Sequence, residues 1–128
     1  MDPKTKADEW FQFAECDLKA AEKLLDEFNH ITCFHCQQAA EKYIKGFLVL
    51  CQTDFRKSHD LDYLLGLLNK DIPDNVLLAA EYLTEYGVEV RYPGGSASIT
   101  SSEATSAINH ARLIRSFILE LSKQAKTP

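Results

Sequence analysis

The sequence predicts an all-α fold, an up-and-down bundle of four to five helices, on three observations. Apolar residues recur at steps of three and four through three long segments, the period of a helix with one buried stripe. No segment alternates apolar and polar residues for long enough to make a strand, and Val88-Glu89-Val90 is too short to matter. Glycine, proline and small polar residues gather in GVEVRYPGGSASIT, residues 87–100, which reads as a surface loop between helices.

The first helix carries Trp10, Ala14, Leu18, Ala21, Leu25 and Phe28 on one side, flanked by Phe13, Asp17 and Leu24. Asn29-His30 is the expected break. The second helix runs from about Thr32 to Cys51, with a stripe of Cys33, Gln37, Ala40, Ile44, Phe47 and Cys51. Ala39, Tyr43 and Leu50 make an adjoining face, so this helix is apolar around much of its circumference and is expected to meet more than one neighbour. Its length would be roughly 30 Å.

Ser58 is the expected cap of a short third helix, with Asp60 and Asp62 in its first turn and Leu61, Leu64, Leu65 and Leu68 on its apolar face. Pro73 suits the first turn of a fourth helix, where its missing N–H loses nothing. Val76, Leu77, Leu78, Ala80 and Leu83 carry that helix to about Tyr86. Thr100-Ser101-Ser102-Glu103 has the form of a capping box and opens the last helix, whose stripe is Ala104, Ala107, Ile108, Ala111, Ile114, Phe117, Ile118 and Leu121.

A length of 128 residues predicts one domain spanning the whole chain, large enough to hold a core without disulfides or metal. The net charge of −5 argues against a surface broadly devoted to duplex nucleic acid, while leaving room for a local basic groove. No apolar run approaches a membrane span, and the polar N-terminus MDPKTKADEW has no signal-peptide core, so a cytoplasmic protein without membrane contact is expected. Cys16, Cys33, Cys36 and Cys51 all fall inside helical patterns, which predicts reduced, buried thiols. His30, Cys33, His35 and Cys36 match none of the paired spacings of a structural zinc site, and no metal or other cofactor is expected.

The segment FHCQQAAEKYIKGFLVL, residues 34–50, sets polar side chains among residues that belong inside. Asp17, Gln37, Gln38, Glu41, Lys42 and Lys45 fall on or beside the apolar stripes, and buried charges persist only when paired and hydrogen-bonded. An Asp17–Lys42 or a Glu41–Lys45 partnership would meet that condition, the latter also as a favourable surface pair four residues apart. FRKSHDL, residues 55–61, sets Arg56, Lys57 and His59 at a helix start that favours an anion. EVRYPGG, residues 89–95, sets Arg91 and Tyr92 before the loop, a pair able to hold a phosphate and stack on a base.

Taken in order, AECDLKAAEKLL at 14–25, FHCQQAAEKYIKGFLV at 34–49, SHDLDYLL at 58–65 and RYP at 91–93 closely resemble the HEPN family. The resemblance covers about residues 8–122. It implies a bundle like the substrate-binding subunits of nucleotidyltransferases, commonly a homodimer, often paired with a minimal nucleotidyltransferase in toxin–antitoxin-like systems. Nucleotide or RNA would then be held by Lys42, Lys45, His59, Arg91 and Tyr92, with Asp17, Gln37, Gln38 and Glu41 ordering the site or meeting a partner.

Many HEPN members cleave RNA, and those carry an arginine, four to six intervening residues and a histidine. At the required distances Arg56 meets Leu61, Asp62 and Tyr63, and Arg91 meets Ser96, Ala97 and Ser98. Arg112 meets Phe117 to Leu119, and Arg115 meets Glu120 to Ser122. A non-catalytic member is therefore expected, the alternatives being an atypical ribonuclease built on His59 and Arg91 or a purely protein-docking subunit. His35, His59-Asp60 and Asp74 also copy the order of a helical metal phosphohydrolase, but His59-Asp60 is explained as a helix start.

Overall fold

The computed structural model describes residues 2–87 and 98–125. Five α-helices account for most of them: α1 (Pro3–Leu24), α2 (Asn29–Leu50), α3 (Leu61–Gly66), α4 (Asp74–Thr84) and α5 (Ser101–Ala125). Among the described residues there is no strand, as the periodicity predicts.

Asp2 caps α1 by accepting from the Thr5 N–H at 2.7 Å, and Pro3 follows at the first helical position. The chain reverses at Leu25–Phe28, earlier than the expected break, with Asp26 in the left-handed region at φ 73°. Asn29 belongs to α2 and holds this reversal together, its Oδ1 accepting from the Asp26 N–H at 2.7 Å and its Nδ2 donating to the Ile99 carbonyl at 3.2 Å. The polar pair that reads as a helix breaker therefore starts a helix, because its amide satisfies the turn before it.

Pairings along the helices fix their directions. Thr32 donates to the Ala21 carbonyl at one end of the α1–α2 seam, and Gly46 lies against Trp10 and Phe11 at the other, so the two run antiparallel. A Cβ at Gly46 would come within 2.6 Å of the Phe11 ring, which is why only glycine lets the backbones approach so closely here. Asn29 with Ser101 and Tyr43 with Arg115 show α2 and α5 running the same way, and Tyr82 and Tyr86 against Glu103 set α4 antiparallel to α5. Leaving short α3 aside, the order is up-and-down, as predicted.

Helix α2 is the hub, packing on α1, α5, α3 and α4, and thirteen of its residues are buried. Tyr43, Ile44, Phe47 and Leu48 from α2 meet Leu61, Leu64 and Leu65 from α3, Leu83 from α4, and Ile114 and Ile118 from α5. Each aliphatic side chain among them contributes on the order of 2 kcal/mol by leaving water.

Three local expectations are corrected. Asp60, not Ser58, caps α3, its Oδ1 accepting from Asp62 at 3.0 Å and Tyr63 at 3.3 Å, while Ser58 Oγ accepts from Asp60 N–H at 3.0 Å. Aspartate prevails because its side chain reaches both free N–H groups at once. Pro73 precedes α4 rather than lying in its first turn, and α4 ends at Thr84, tightening into a 3-10 turn over Glu85–Gly87. The thiols divide: Cys33 and Cys36 are buried, whereas Cys16, on the outward face of α1, and Cys51, just past the end of α2, are exposed. No helix among the described residues is long and apolar enough to cross a membrane.

Candidate functional site

Glu41 sits at the centre of a polar knot inside the bundle. One carboxylate oxygen, Oε2, accepts from Lys45 Nζ at 2.9 Å; the other accepts from Gln37 Nε2 at 3.1 Å and meets His59 Nδ1 at 2.7 Å. Gln37 also donates to the His59 carbonyl at 3.0 Å, and its own amide oxygen accepts from Gln38 at 2.8 Å. The α2 helix thus grips the connection to α3 by both the side chain and the backbone of His59.

The burial of these groups dictates their states. Desolvation alone would raise the Glu41 carboxyl, but donors from Lys45, His59 and Gln37 outweigh it and hold the group below the usual carboxylate range. An ionised Glu41 only accepts hydrogen bonds, so Nδ1 of His59 carries a proton and Nε2 is the basic nitrogen whenever the ring is neutral. Lys45 is 8% exposed and Glu41 6%, whereas the His59 side chain is 44% exposed. The imidazole is the most exposed part of the knot, Gln38 being half-buried. Among the described residues no buried side-chain polar atom lacks a partner.

Gly87 closes the knot from above. A Cβ there would lie 2.6 to 2.8 Å from the amide of Gln37, so the 3-10 turn after α4 rests directly on the group that orders His59.

A second polar centre lies on the α1–α2 seam. Asp17 accepts from Lys42 Nζ at 2.6 Å and meets His35 Nδ1 at 2.9 Å. Lys42 also borders an open cleft of about 460 Å3 with Glu9, Trp10 and Phe13. A third joins three helices: Glu15 accepts from the Tyr43 hydroxyl and from Arg115, and Arg115 Nε donates to the Tyr43 oxygen at 3.2 Å. Burial and the Glu15 carboxylate push the Tyr43 hydroxyl well above its ordinary value, so it remains a donor.

A HEPN-domain family model matches residues 7–121 of the sequence. The chain belongs to the HEPN family. Among solved structures it is similar to an archaeal HEPN homologue at 26% identity and a TM-score of 0.79, covering 94% of this chain and 98% of that one. A Thermus thermophilus protein matches at 31% identity and a TM-score of 0.79, over 90% and 97% of the two chains. The fold is also that of a Thermotoga maritima HEPN-domain protein, 24% identical with a TM-score of 0.76, over 90% and 98%. No curated protein matches the sequence.

In this HEPN chain the expected site residues fall into three groups. Gln37, Gln38, Glu41, Lys45 and His59 converge in one knot. Asp17 and Lys42 form a separate pair with His35, so the two lysines answer different carboxylates. Both partnerships expected for these charges are present, but Glu41–Lys45 is buried rather than a surface pair. Arg91 and Tyr92 lie outside the described residues.

The residues of the supposed phosphohydrolase order have other work. His35 pairs with Asp17, His59 with Glu41, and Asp60 caps α3. Among the described residues no three His, Cys, Asp or Glu side chains gather as metal ligands would. The Glu15–Tyr43–Arg115 contact has no local pattern in the sequence, because its members are up to a hundred positions apart. The one available signal was a tyrosine on a buried stripe, whose hydroxyl needs a partner. Arg56, read as an anion ligand, instead lies 3.8 Å over the Tyr63 ring.

Proposed function

We propose that this HEPN domain, the whole chain acting as one unit, is a non-catalytic module that binds a nucleotide or RNA through phosphate. It would act as a homodimer and pair with a nucleotidyltransferase subunit in a toxin–antitoxin-like system. The observation that carries the reading is the half-exposed His59 ring, pinned through Nδ1 by a buried carboxylate and so aimed outward with its other nitrogen. Protonated, that nitrogen donates to a phosphate oxygen; neutral, it accepts from a base or ribose hydroxyl.

Arg91 and Tyr92 follow Gly87 by four and five residues in the sequence. In this reading Arg91 supplies a forked phosphate contact and Tyr92 a stacking face. Lys45 balances Glu41 rather than touching ligand, and Lys42, paired with Asp17, keeps further N–H donors free to meet a phosphate. Absence of the arginine–histidine ribonuclease spacing supports a binding role.

Labelled RNA and mononucleotides incubated with the protein test the reading. Binding without cleavage, weakened about tenfold or more in His59→Gln and Arg91→Ala, is the expected outcome. No binding at all, beside a tight complex with a nucleotidyltransferase, points to a docking subunit instead.

One observation favours a second reading, the atypical ribonuclease. A buried carboxylate that orients an imidazole is the arrangement that general bases use. Cleavage that is metal-independent and disappears in both His59→Gln and Arg91→Ala would replace binding by catalysis.

A further inference from the structure

The outer face of α4 carries Leu77 and Leu78 side by side, 40% and 62% exposed. Val76, Ala79, Ala80 and Leu83 already face the core, so helical periodicity turns these two leucines outward. They stand in a stripe with Asp74, Glu81 and Glu85, at steps of three and four along the helix. Asp62 of α3 lies close enough to feel Glu81: burial first, then the charges of Asp60 and Glu81, raise its carboxyl.

The charge of this region is lopsided. Residues 58–87 hold six carboxylates and one lysine, which accounts for the entire net charge of −5, so the rest of the sequence is balanced. Several acids elsewhere meet bases, as Glu41, Asp17, Glu15 and Glu22 do. On α3 and α4 there is no basic residue to answer them.

We propose that the α3–α4 face docks a basic amphipathic helix from a partner protein. The leucine pair supplies the apolar contact, and Asp62, Asp74, Glu81 and Glu85 receive lysines or arginines on either side of the partner's apolar stripe. The partner stripe needs about three turns to match the 11 residues of α4. A second copy of the chain offers the same acidic face in return and is repelled, as are an anionic membrane and a nucleic acid.

A leucine–lysine amphipathic peptide of about fifteen residues is the probe, titrated against the protein at low salt. Binding is expected, reduced tenfold or more by Leu78→Ser and by Glu81→Lys, and nearly unchanged by Glu120→Lys, the same charge change on α5. A leucine–glutamate peptide should not bind. Failure of the lysine peptide to bind overturns the proposal, as does equal weakening by Glu120→Lys or indifference to both Leu78→Ser and Leu77→Ser. Sedimentation supplies the remaining arm: a dimer that Leu78→Ser dissociates makes a second copy the occupant and refutes the partner helix.

Discussion

The Glu41 knot and the α3–α4 outer face handle negative charge in opposite ways. Around Glu41 the carboxylate is buried and meets a lysine, an imidazole and an amide, so each donor removed leaves a charge or dipole stranded away from water. Around Asp62 and Glu81 the carboxylates stand in solvent, crowd one another and hold nothing together. Charge inside the bundle specifies how the α2–α3 connection is held, whereas charge on the outer face is left for something else to answer.

The largest expected effect breaks the buried side of that contrast. Glu41→Ala leaves Lys45 buried without its partner and frees His59, a loss of about 3–5 kcal/mol in unfolding free energy by urea titration. Pairing that change with Lys45→Met should recover much of the loss, since the stranded charge is then gone. If the double variant is as unstable as the single one, burial of an orphaned ammonium is not the cause.

Next come two glycine substitutions that leave every charge in place. Gly46→Ala drives a methyl group to 2.6 Å from the Phe11 ring and 3.0 Å from Trp10 Cβ, and Gly87→Ala to 2.6 Å from the Gln37 amide. Each should cost about 1–3 kcal/mol. They differ in kind. Gly87→Ala should also alter the His59 ring signals in an NMR spectrum, because Gln37 orders that residue, while Gly46→Ala should leave them unmoved.

Acid sharpens the comparison further, because the two regions respond with opposite sign. The Glu41 carboxyl is held below its ordinary value of 4.5 in the fold, so the unfolded chain binds the proton more readily. Its contribution is complete above that value and is lost as pH falls through the folded one. The Asp62 carboxyl is raised above its ordinary 3.8, so acidification through its folded value stabilises the protein there. Between pH 3 and 7, Glu41→Gln should flatten the loss of stability on acidification, and Asp62→Asn should steepen it slightly. Two variants that shift the profile the same way would contradict the assignment.

Much of the fold was legible because helices announce themselves locally. Of the predicted α1 stripe Ala14, Leu18 and Ala21 are buried, Trp10 and Leu25 half-buried and Phe28 exposed; of the α2 stripe Cys33, Gln37, Ala40, Ile44 and Phe47 are buried, while Cys51, past the helix end, is exposed. Boundaries were read less well, since Asn29 and Asp60 act through side-chain hydrogen bonds whose targets depend on the path of the chain. The candidate site was half legible. Polar residues on an apolar stripe flagged Gln37, Glu41 and Lys45, and His59 was expected in the same site, but as a ligand contact and not as the partner of Glu41, eighteen residues back. The Asp17–Lys42 pairing is present as expected, but helical rotation sets it apart from the Glu41 knot, so the two lysines do not share one site.

The smallest effect is expected where the surface looks least like a soluble helix. Leu78 touches little of the fold at 62% exposure, so Leu78→Ser should change the unfolding free energy by no more than about 0.5 kcal/mol. Serine is also a poorer helix former than leucine, so the small change should be a loss and not a gain. Set beside Glu41→Ala, this measurement decides whether the two regions divide stability from interaction. A loss of 2 kcal/mol or more in unfolding free energy, about what burying a leucine is worth, would mean that Leu78 is covered by the chain itself, and the outer face would cease to be a free surface.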